Sequence, residues 1–528
     1  MSKITGVFLA GGFLVSCSFL IDRFQDAPWF PVSDKPALSL VFSHNINGET
    51  HPCGCRNYPL GGLPQVAGKI ASIKKRHDVV YVDTGDTFYS STIVPAQLRD
   101  SSHFAAKNMA AGLERLGLDY YVPGEQDFAL GEDFLQQLSQ RAKFTFLVAN
   151  FRKKSIKHKK WVVLTRNNHH FFLTGVVDPG VMPQKYRALF TPVASALKKV
   201  LLEMKREGFL SDNPFHRLVV LSHTGMSGDE SLAAAFPQID WIIGSHSQSF
   251  TRNPVKEKNT RLVQVLSRNH YLGEIIFSLT GTKGRDSFKL HEIHDKLKDE
   301  IKPNPFFSFI DNHKNKIKEI QIKEQGLMEK IDSNAPLKTA ISCMECHTKQ
   351  AEHWYKTHHS IAYLTLIKNN EEKNLACLKC HTLGLNDPRG YKRAEDLIRS
   401  EKKLPFDYWR AFTDKMKFNG SVRELSPQKT SLLAKRWLEF DQQHKVSYNY
   451  SNVQCLNCHT QHPEHPFDSH YKEITDREKK NLMREKCISC HNGDQSPHWY
   501  VKNKKGLAGD IDDKKLSNLI KKIGCPAM

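Results

Sequence analysis

Between Leu38 and about residue 282, short apolar runs alternate with stretches whose apolar residues recur at helical spacing. Leu38–Phe42, Val79–Val82, Phe171–Val177, Leu218–Leu221, Trp241–Ile243, Val263–Leu266 and Glu274–Ser278 read as strands. Phe104–Leu116, with Met109, Leu113 and Leu116 on one face, and Val193–Glu207 read as helices. Buried strands alternating with helices predict a layered α/β domain over 38–282. Polar groups follow directly on four of the strands: Ser43-His44-Asn45, Asp83-Thr84-Gly85-Asp86, Ser222-His223-Thr224 and Gly244-Ser245-His246. In open α/β sheets ligands bind beyond the carboxyl ends of the strands, so these groups predict one shared site. Taken singly, each is equally a turn or cap residue.

Residues 283–336 are expected to connect this domain to the next. They are rich in Lys and Glu, are broken by Pro303 and Pro305, and then carry Ile310, Ile317, Ile320, Leu327 and Ile331 at helical spacing. The remainder, 337–528, has little regular patterning apart from a helix over 426–443 with Leu433, Trp437 and Phe440. It is organised instead by four copies of one motif, Cys343-Met-Glu-Cys346-His347, Cys377-Leu-Lys-Cys380-His381, Cys455-Leu-Asn-Cys458-His459 and Cys487-Ile-Ser-Cys490-His491. With 12 Cys and 26 His in 528 residues, about 0.01 such motifs are expected by chance. The spacing is that of c-type haem attachment: two thiols add across the haem vinyl groups, and the following histidine lies under the iron. Structural zinc would need paired CxxC units and no histidine after each pair. Four covalent haems are therefore expected, in a mostly α region where the haems form much of the core.

Composition narrows the compartment more than the fold. The chain is 39% hydrophobic and 10% aromatic, enough for globular cores, and its formal charge is +20. Four haems bring about eight propionate charges that offset part of this excess. No nucleic-acid-reading motif is present, so nucleic acid is not an expected partner. Met-Ser-Lys3 precedes an apolar run from Ile4 to Val15, which reads as a secretion signal over 1–17. Residues 18–37 then form a tether. Leu14-Val15-Ser16-Cys17 matches a bacterial lipobox, making Cys17 the lipidation candidate, with an uncleaved anchor or an ordinary cleaved signal as the alternatives. Each places the body outside the cytoplasmic membrane, facing the periplasm. With eight cysteines in haem motifs and Cys17 set aside, Cys53, Cys55 and Cys525 remain, an odd number that cannot all pair within one chain.

Residues 38 to about 280 resemble the 5′-nucleotidase branch of the calcineurin-like metallophosphoesterases. The resemblance rests on Phe42-Ser-His-Asn-Ile-Asn-Gly48, Gly61-Gly62-Leu63, Val82-Asp-Thr-Gly-Asp-Thr-Phe88, Gly124-Glu-Gln-Asp-Phe128, Leu221-Ser-His223 and Ile242-Ile-Gly-Ser-His-Ser-Gln248. It implies an αββα sandwich holding two divalent metals that hydrolyse phosphate esters. The ligand positions depart from the family pattern. Asn45 and Asn47 stand for the opening Asp-x-His, Glu125-Gln126 for the Asn-His pair, and Gln248 for the last histidine. Asp86, His223 and His246 are kept. Neutral amides bind first-row metals weakly, and an amide at Gln126 cannot transfer a proton to a leaving group. The resemblance therefore implies a scaffold with no metal or one divalent metal at Asp86, Glu125, His223 and His246, rather than a two-metal hydrolase. His51-Pro-Cys53-Gly-Cys55-Arg56 lies in the same domain and reads as a redox dithiol or soft metal site, or as a structural pair.

The C-terminal region resembles the tetrahaem cytochrome c-552/4 type, through Cys343–His347 with Trp354 and His359-Ser-Ile-Ala362, Cys455–His459 with His465, and Cys487–His491 with Ser496-Pro497. The resemblance makes His347, His381, His459 and His491 proximal ligands and favours His359 and His465 as distal ones. The expected function is extracytoplasmic electron transfer with redox partner proteins or quinol-linked donors. Two other classes stay open: a phosphoesterase or 5′-nucleotidase-like hydrolase, and a haem oxidoreductase acting on a small nitrogen or oxygen species.

Overall fold

The computed structural model describes residues 35–526 apart from 53–58, 96–97, 281, 327–335, 402–403, 405–407, 417, 419, 460–474, 494, 497–498 and 503–507. Cys17, Cys53, Cys55 and His465 lie outside the described residues.

Strands of the N-terminal domain are β1 (Ala37–Ser43), β2 (Asp78–Asp83), β3 (Leu118–Tyr121), β4 (Thr145–Phe146), β5 (Trp161–Arg166), β6 (His169–Val177), β7 (His216–His223), β8 (Trp241–Ile243), β9 (Val255–Glu257), β10 (Thr260–Val263), β11 (Tyr271–Ser278) and β12 (Ser287–Glu292). They form two six-stranded sheets, ordered β12-β11-β1-β2-β3-β4 and β5-β6-β7-β8-β10-β9. In the first, β1 to β4 run parallel out to one edge and β11 and β12 add antiparallel at the other; in the second, β6, β7, β8 and β10 run parallel between antiparallel edge strands β5 and β9. The alternation of residues along β6 and β7 shows why the sheets stack. Phe171, Leu173, Val219 and Leu221 join Leu38, Leu40 and Phe42 in the core between the sheets. Phe172, Val176, Leu218 and Val220 point the other way, into a second core.

Helices cover the outer faces. They are α1 (Leu63–Lys74), α2 (Arg99–Leu116), α3 (Glu132–Arg141), α4 (Val193–Arg206) and α5 (Met226–Ala235). Leu63, Val66, Met109 and Leu113 from α1 and α2 sit against the first sheet, and Leu197, Val200, Met204 and Leu232 from α4 and α5 against the second. The result is the expected four-layer α/β/β/α arrangement. A Cβ on Gly68 of α1 would lie 1.8 Å from the Leu297 carbonyl oxygen, so only glycine lets this helix reach the chain beyond β12. Arg217 and Asp286 form a fully buried bidentate pair, both bonds 2.9 Å, tying β7 of one sheet to the start of β12 in the other.

Two boundaries differ from the sequence reading. The strand expected at Val263–Leu266 ends at Val263, because Leu266 adopts φ 75° and leaves the extended region. The first sheet continues past 282 through β12, inside the expected connector. Helix α6 (Phe306–Gly326) follows, and its Phe306, Phe309 and Ile310 belong to the N-terminal core.

The C-terminal region contains α7 (Ala340–Met344), α8 (Thr348–Tyr355), α9 (Leu364–Lys368), α10 (Leu375–His381), α11 (Tyr408–Met416), α12 (Pro427–Gln443), α13 (Cys455–Cys458), α14 (Asp476–Cys490) and α15 (Asp513–Ile523). Helix α12 begins where the pattern predicted, with the Ser426 hydroxyl accepting from Lys429 N. The region has an apolar protein core in which Trp437 packs on Trp409 (4.9 Å between ring centres) and Phe412 (4.8 Å). Among the described residues no helix is long and apolar enough to cross a membrane.

Candidate functional site

Five parallel strands of the N-terminal domain, β1, β2, β3, β7 and β8, end at one place. The chain at their ends delivers Asn45, Asp86, His223 and His246, as the four polar strand ends predicted, and Glu125 after β3, a strand the sequence pattern did not mark. Asn45, Asp86 and His246 have φ of 48°, 56° and 69°, turns that aim side chains back over the sheet edge. Asp127 holds two of these turns together. Its carboxylate accepts from the backbone N of Asp86, Thr87 and Phe88, each at 2.9 Å, and from Gly124 N at 2.8 Å. Gly124 must be glycine: a Cβ there would sit 2.3 Å from Asp86 Oδ1 and 2.4 Å from His223 Cε1.

Glu125 is the hub. His223 Nδ1 donates to the Thr84 carbonyl (2.7 Å), which turns Nε2 toward Glu125 Oε2 (2.6 Å). The other oxygen of Glu125 meets His246 Nδ1 at 2.9 Å. Asp86 Oδ2 lies 3.7 Å from His223 Nε2. Burial alone would push Glu125 up, but its hydrogen bonds to the two histidines hold it below the ordinary carboxylate range. Burial alone would lower His223, yet the Asp86 charge and the Glu125 bond raise it to about 10. His223 is thus held between the acidic side chains of Glu125 and Asp86, and burial pushes the Asp86 carboxyl well above its ordinary range.

One ligand atom from each of Asp86, Glu125, His223 and His246 lies within 4.8 Å of all the others. Two carboxylates and two imidazoles suit a divalent first-row ion, so these residues fit one metal, and the sequence-predicted set comes together. They do not fit a second. Val265 N donates to His44 Nε2 (2.8 Å), so His44 carries its proton on Nδ1 and gives it to Asn45 Oδ1 (2.8 Å). That fixes the Asn45 amide with Nδ2 donating to Asp86 Oδ2 (3.0 Å). Gln126 Nε2 donates to the same oxygen (3.2 Å), and Gln126 N to Oδ1 (2.9 Å). Amide donors occupy the carboxylate face that a bridging role would turn to a second ion. The parts played by His44 and Asp127 were not legible in sequence. Each had only a positional signal, His44 in Phe42-Ser-His-Asn-Ile-Asn-Gly48 and Asp127 in Gly124-Glu-Gln-Asp-Phe128.

The four attachment motifs are each wound into a helical turn. His347 N donates to Cys343 O (2.9 Å), His459 N to Cys455 O (2.9 Å) and His491 N to Cys487 O (2.8 Å), while the second motif closes α10. Positions i, i+3 and i+4 of a helix share one face, which is why two thiols and a histidine at this spacing meet one planar group. His381 Nδ1 donates to the Ala362 carbonyl (2.8 Å), leaving Nε2 as its ligand nitrogen. His491 stacks on Trp499 at 4.3 Å with Nδ1 2.9 Å from Ser496 Oγ. The ring centres of His359 and His491 lie 6.3 Å apart. These residues fit covalently held haem. Cys525 is exposed and its chemistry stays unassigned.

Residues 342–401, which span the first two motifs, match the family model of cytochrome c554 and c-prime. The metallophosphoesterase YunD of Bacillus subtilis is 26% identical over 168 residues, 30% of this chain and 35% of that protein. An apyrase of Anopheles gambiae is 24% identical over 245 residues, 42% of this chain and 41% of that protein. The chain thus spans well under half the length of either relative. Among solved structures, the sulfate thiohydrolase SoxB of Thermus thermophilus superposes with a TM-score of 0.45 at 15% identity, covering 55% of this chain and 62% of that one. A 5′-nucleotidase precursor, also from Thermus thermophilus, gives 0.44 at 16% identity, covering 63% and 67%. The N-terminal domain is a four-layer α/β fold similar over part of its sequence to a metallophosphoesterase and an apyrase, and residues 342–401 are similar to cytochrome c554 and c-prime.

Proposed function

We propose that this chain is an extracytoplasmic electron-transfer protein, a multihaem c-type cytochrome joined to a metallophosphoesterase-like domain that keeps one metal position. The pairing of His359 with His491 supports this reading most directly. Their ring centres lie 6.3 Å apart, so His359 stands next to the histidine of the Cys487–His491 motif and both could serve haem bound there.

Cys343, Cys346, Cys377, Cys380, Cys455, Cys458, Cys487 and Cys490 would hold four porphyrins. His347, His381, His459 and His491 would be proximal ligands, with His359 and His465 as candidate distal ligands. When bound, each haem supplies a one-electron iron couple. The protein's part is to fix ring orientation, as the Ala362 carbonyl does for His381, and to set the local charge. Redox partner proteins or a quinol-linked donor would exchange electrons with the haems. The Cys17 lipid or the apolar N-terminus would hold the chain at the membrane, and the Cys53/Cys55 dithiol is a further candidate acceptor.

Elemental analysis and haem counting on the purified, haem-loaded protein test this reading. The expected result is about four irons per chain and at most one further divalent ion. Fewer haem irons would overturn the cytochrome half. Two further divalent ions would favour a second reading, a phosphoesterase, for which the Asp86, Glu125, His223 and His246 cluster is the supporting observation. Phosphate release from nucleotides with added Mn2+ or Zn2+ would then decide between them.

A further inference from the structure

Helix α6 is where the two parts of the chain meet. One side of it lies in the N-terminal core. From the other, Lys314 Nζ donates to Asn369 O (3.3 Å), Lys318 Nζ to Glu372 Oε1 (2.6 Å) and to Asn370 Oδ1 (3.1 Å), and Gln325 Nε2 to Lys373 O (3.0 Å). The gripped segment, 369–373, leads directly into α10, the helix that carries Cys377, Cys380 and His381.

A second contact reaches the same segment from the candidate metal site. The chain leaving β1 is bonded along the Asp86 turn, with Asn47 N donating to Asp86 O and Gly48 N to Thr87 O, both at 2.9 Å. Three residues later His51 Nε2 stands 3.3 Å from Glu371 Oε1, with its Nδ1 3.0 Å from Thr50 Oγ1. The other oxygen of Glu371 accepts from Asn374 Nδ2 (2.9 Å). Asn374 Oδ1 in turn accepts from Ala376 N (3.0 Å), capping α10. One chain of hydrogen bonds therefore runs from the loop of the metal site, through His51, Glu371 and Asn374, to the first turn of the second haem motif.

We infer that Glu371 is a positioning residue for the haem held at Cys377, Cys380 and His381: it ties that haem's helix to the N-terminal domain, and its charge favours the oxidised state of that haem. The inference rests on the multihaem reading above. Only 18% of the Glu371 side chain is exposed, so its charge is weakly screened. Burial alone would push its carboxyl up, but hydrogen bonds from His51 and Asn374 hold it below the ordinary carboxylate range. Its field reaches the motif: burial pushes the Cys377 thiol up to about 12, the Glu371 charge adds to this, and Lys314 opposes it. Lys318 is neutralised by Glu372. A fixed anion beside an iron that gains negative charge on reduction lowers its potential.

The test is a potentiometric titration, followed by absorbance, of the full haem-loaded chain as wild type, Glu371→Gln, Glu371→Asp and His51→Gln. In Glu371→Gln one of four components should move to higher potential. At the wild-type midpoint, its ratio of reduced to oxidised haem should rise about three- to tenfold. The other three should stay, and Glu371→Asp should restore most of the shift. If Glu371→Gln fails to fold, His51→Gln, which spares the α10 cap, should still move that same single component. Unchanged titrations in Glu371→Gln and His51→Gln, or all four components moving together, would overturn the inference. Peptide mass spectrometry of the wild type separates the two levels, since a missing haem at Cys377/Cys380 would sink the multihaem reading itself.

Discussion

Replacing Glu125 by glutamine tests the N-terminal site at its hub. The side chain keeps its shape and loses its charge. In the metal-free protein two charge-assisted hydrogen bonds, to His223 at 2.6 Å and His246 at 2.9 Å, become neutral ones. Bonds to charged groups contribute about 1.5–3 kcal/mol each. The His246 side chain is 33% exposed, so its bond belongs at the low end. The expected loss in domain stability is then about 2–4 kcal/mol. For the metal, one of two anionic donors disappears. Even outer partners of metal ligands contribute about ten- to hundredfold in affinity, so loss of a direct ligand should cost at least about a hundredfold, or about 2.7 kcal/mol. Isothermal titration of the chelator-stripped, haem-loaded protein with Zn2+ and Mn2+ gives both stoichiometry and affinity. The wild type should bind one ion and the variant bind it at least about a hundredfold more weakly. Equal affinity in the two proteins would remove Glu125 from the ligand set. Two ions in the wild type would refute the argument that Asn45 and Gln126 close the second position.

Three further outcomes follow from the geometry. Gly124→Ala should abolish metal binding while leaving the haem spectrum intact, because its Cβ would fall 2.3 Å from Asp86 Oδ1; metal titration checks it. His359→Ala should leave one haem without its distal ligand, visible as a high-spin absorbance feature absent from the wild type. Glu274 is fully buried and hydrogen-bonded by Ser39 (2.5 Å), His291 (2.7 Å) and His77 (3.3 Å), with Lys69 nearby. Burial would raise it, yet these bonds lower it from 4.5 to about 2. Its contribution is therefore complete above pH 4.5 and is lost as pH falls toward about 2, and at about 1.36 kcal/mol per pH unit it is worth about 3 kcal/mol. Urea unfolding of wild type and Glu274→Gln should differ by that order at about pH 7 and converge only as the pH falls to about 2; a gap independent of pH would contradict this.

Much of the site could be read because its signals are local. Polar residues directly after apolar runs mark strand ends, and strand ends converge in a parallel sheet, which groups Asp86, His223 and His246 from sequence alone; Glu125 joins them only through the Gly124-Glu-Gln-Asp-Phe128 motif, and the four lie together in the structure. The haem motifs were legible for the same reason: their chemistry fits inside one helical turn. What escaped the sequence is long-range. Asn45 reads as a poor ligand, but its orientation as a donor to Asp86 depends on a His44 tautomer set by Val265, a residue remote in the chain. Helix α1 was missed because its glycine and small residues weaken the apolar period, and only the approach to Leu297 explains Gly68. The strand placed at Val263–Leu266 was displaced because an apolar run does not reveal that Leu266 turns to positive φ. The expected connector hides β12, whose pattern is half polar because it is a sheet edge. His51 and Glu371 stand 320 positions apart, and no spacing rule pairs them.

The shared helix bears on how the chain can be divided. A cut in the stretch after Gly326 looks harmless, since it falls between the two patterns. Yet α6 would leave with the first fragment and take Lys318 with it. Glu372, whose side chain is 3% exposed, would stay behind in the second without the cation that answers it. A buried carboxylate stripped of its partner costs about 3–5 kcal/mol. A cytochrome fragment starting at Leu337 would carry that deficit next to its second haem motif, and one starting at Phe306 would instead expose the aromatic side chains that α6 sinks into its neighbour. The two halves separate cleanly as text but share a solvation shell, so whatever assembled them had to bring the helix and its counter-charge together.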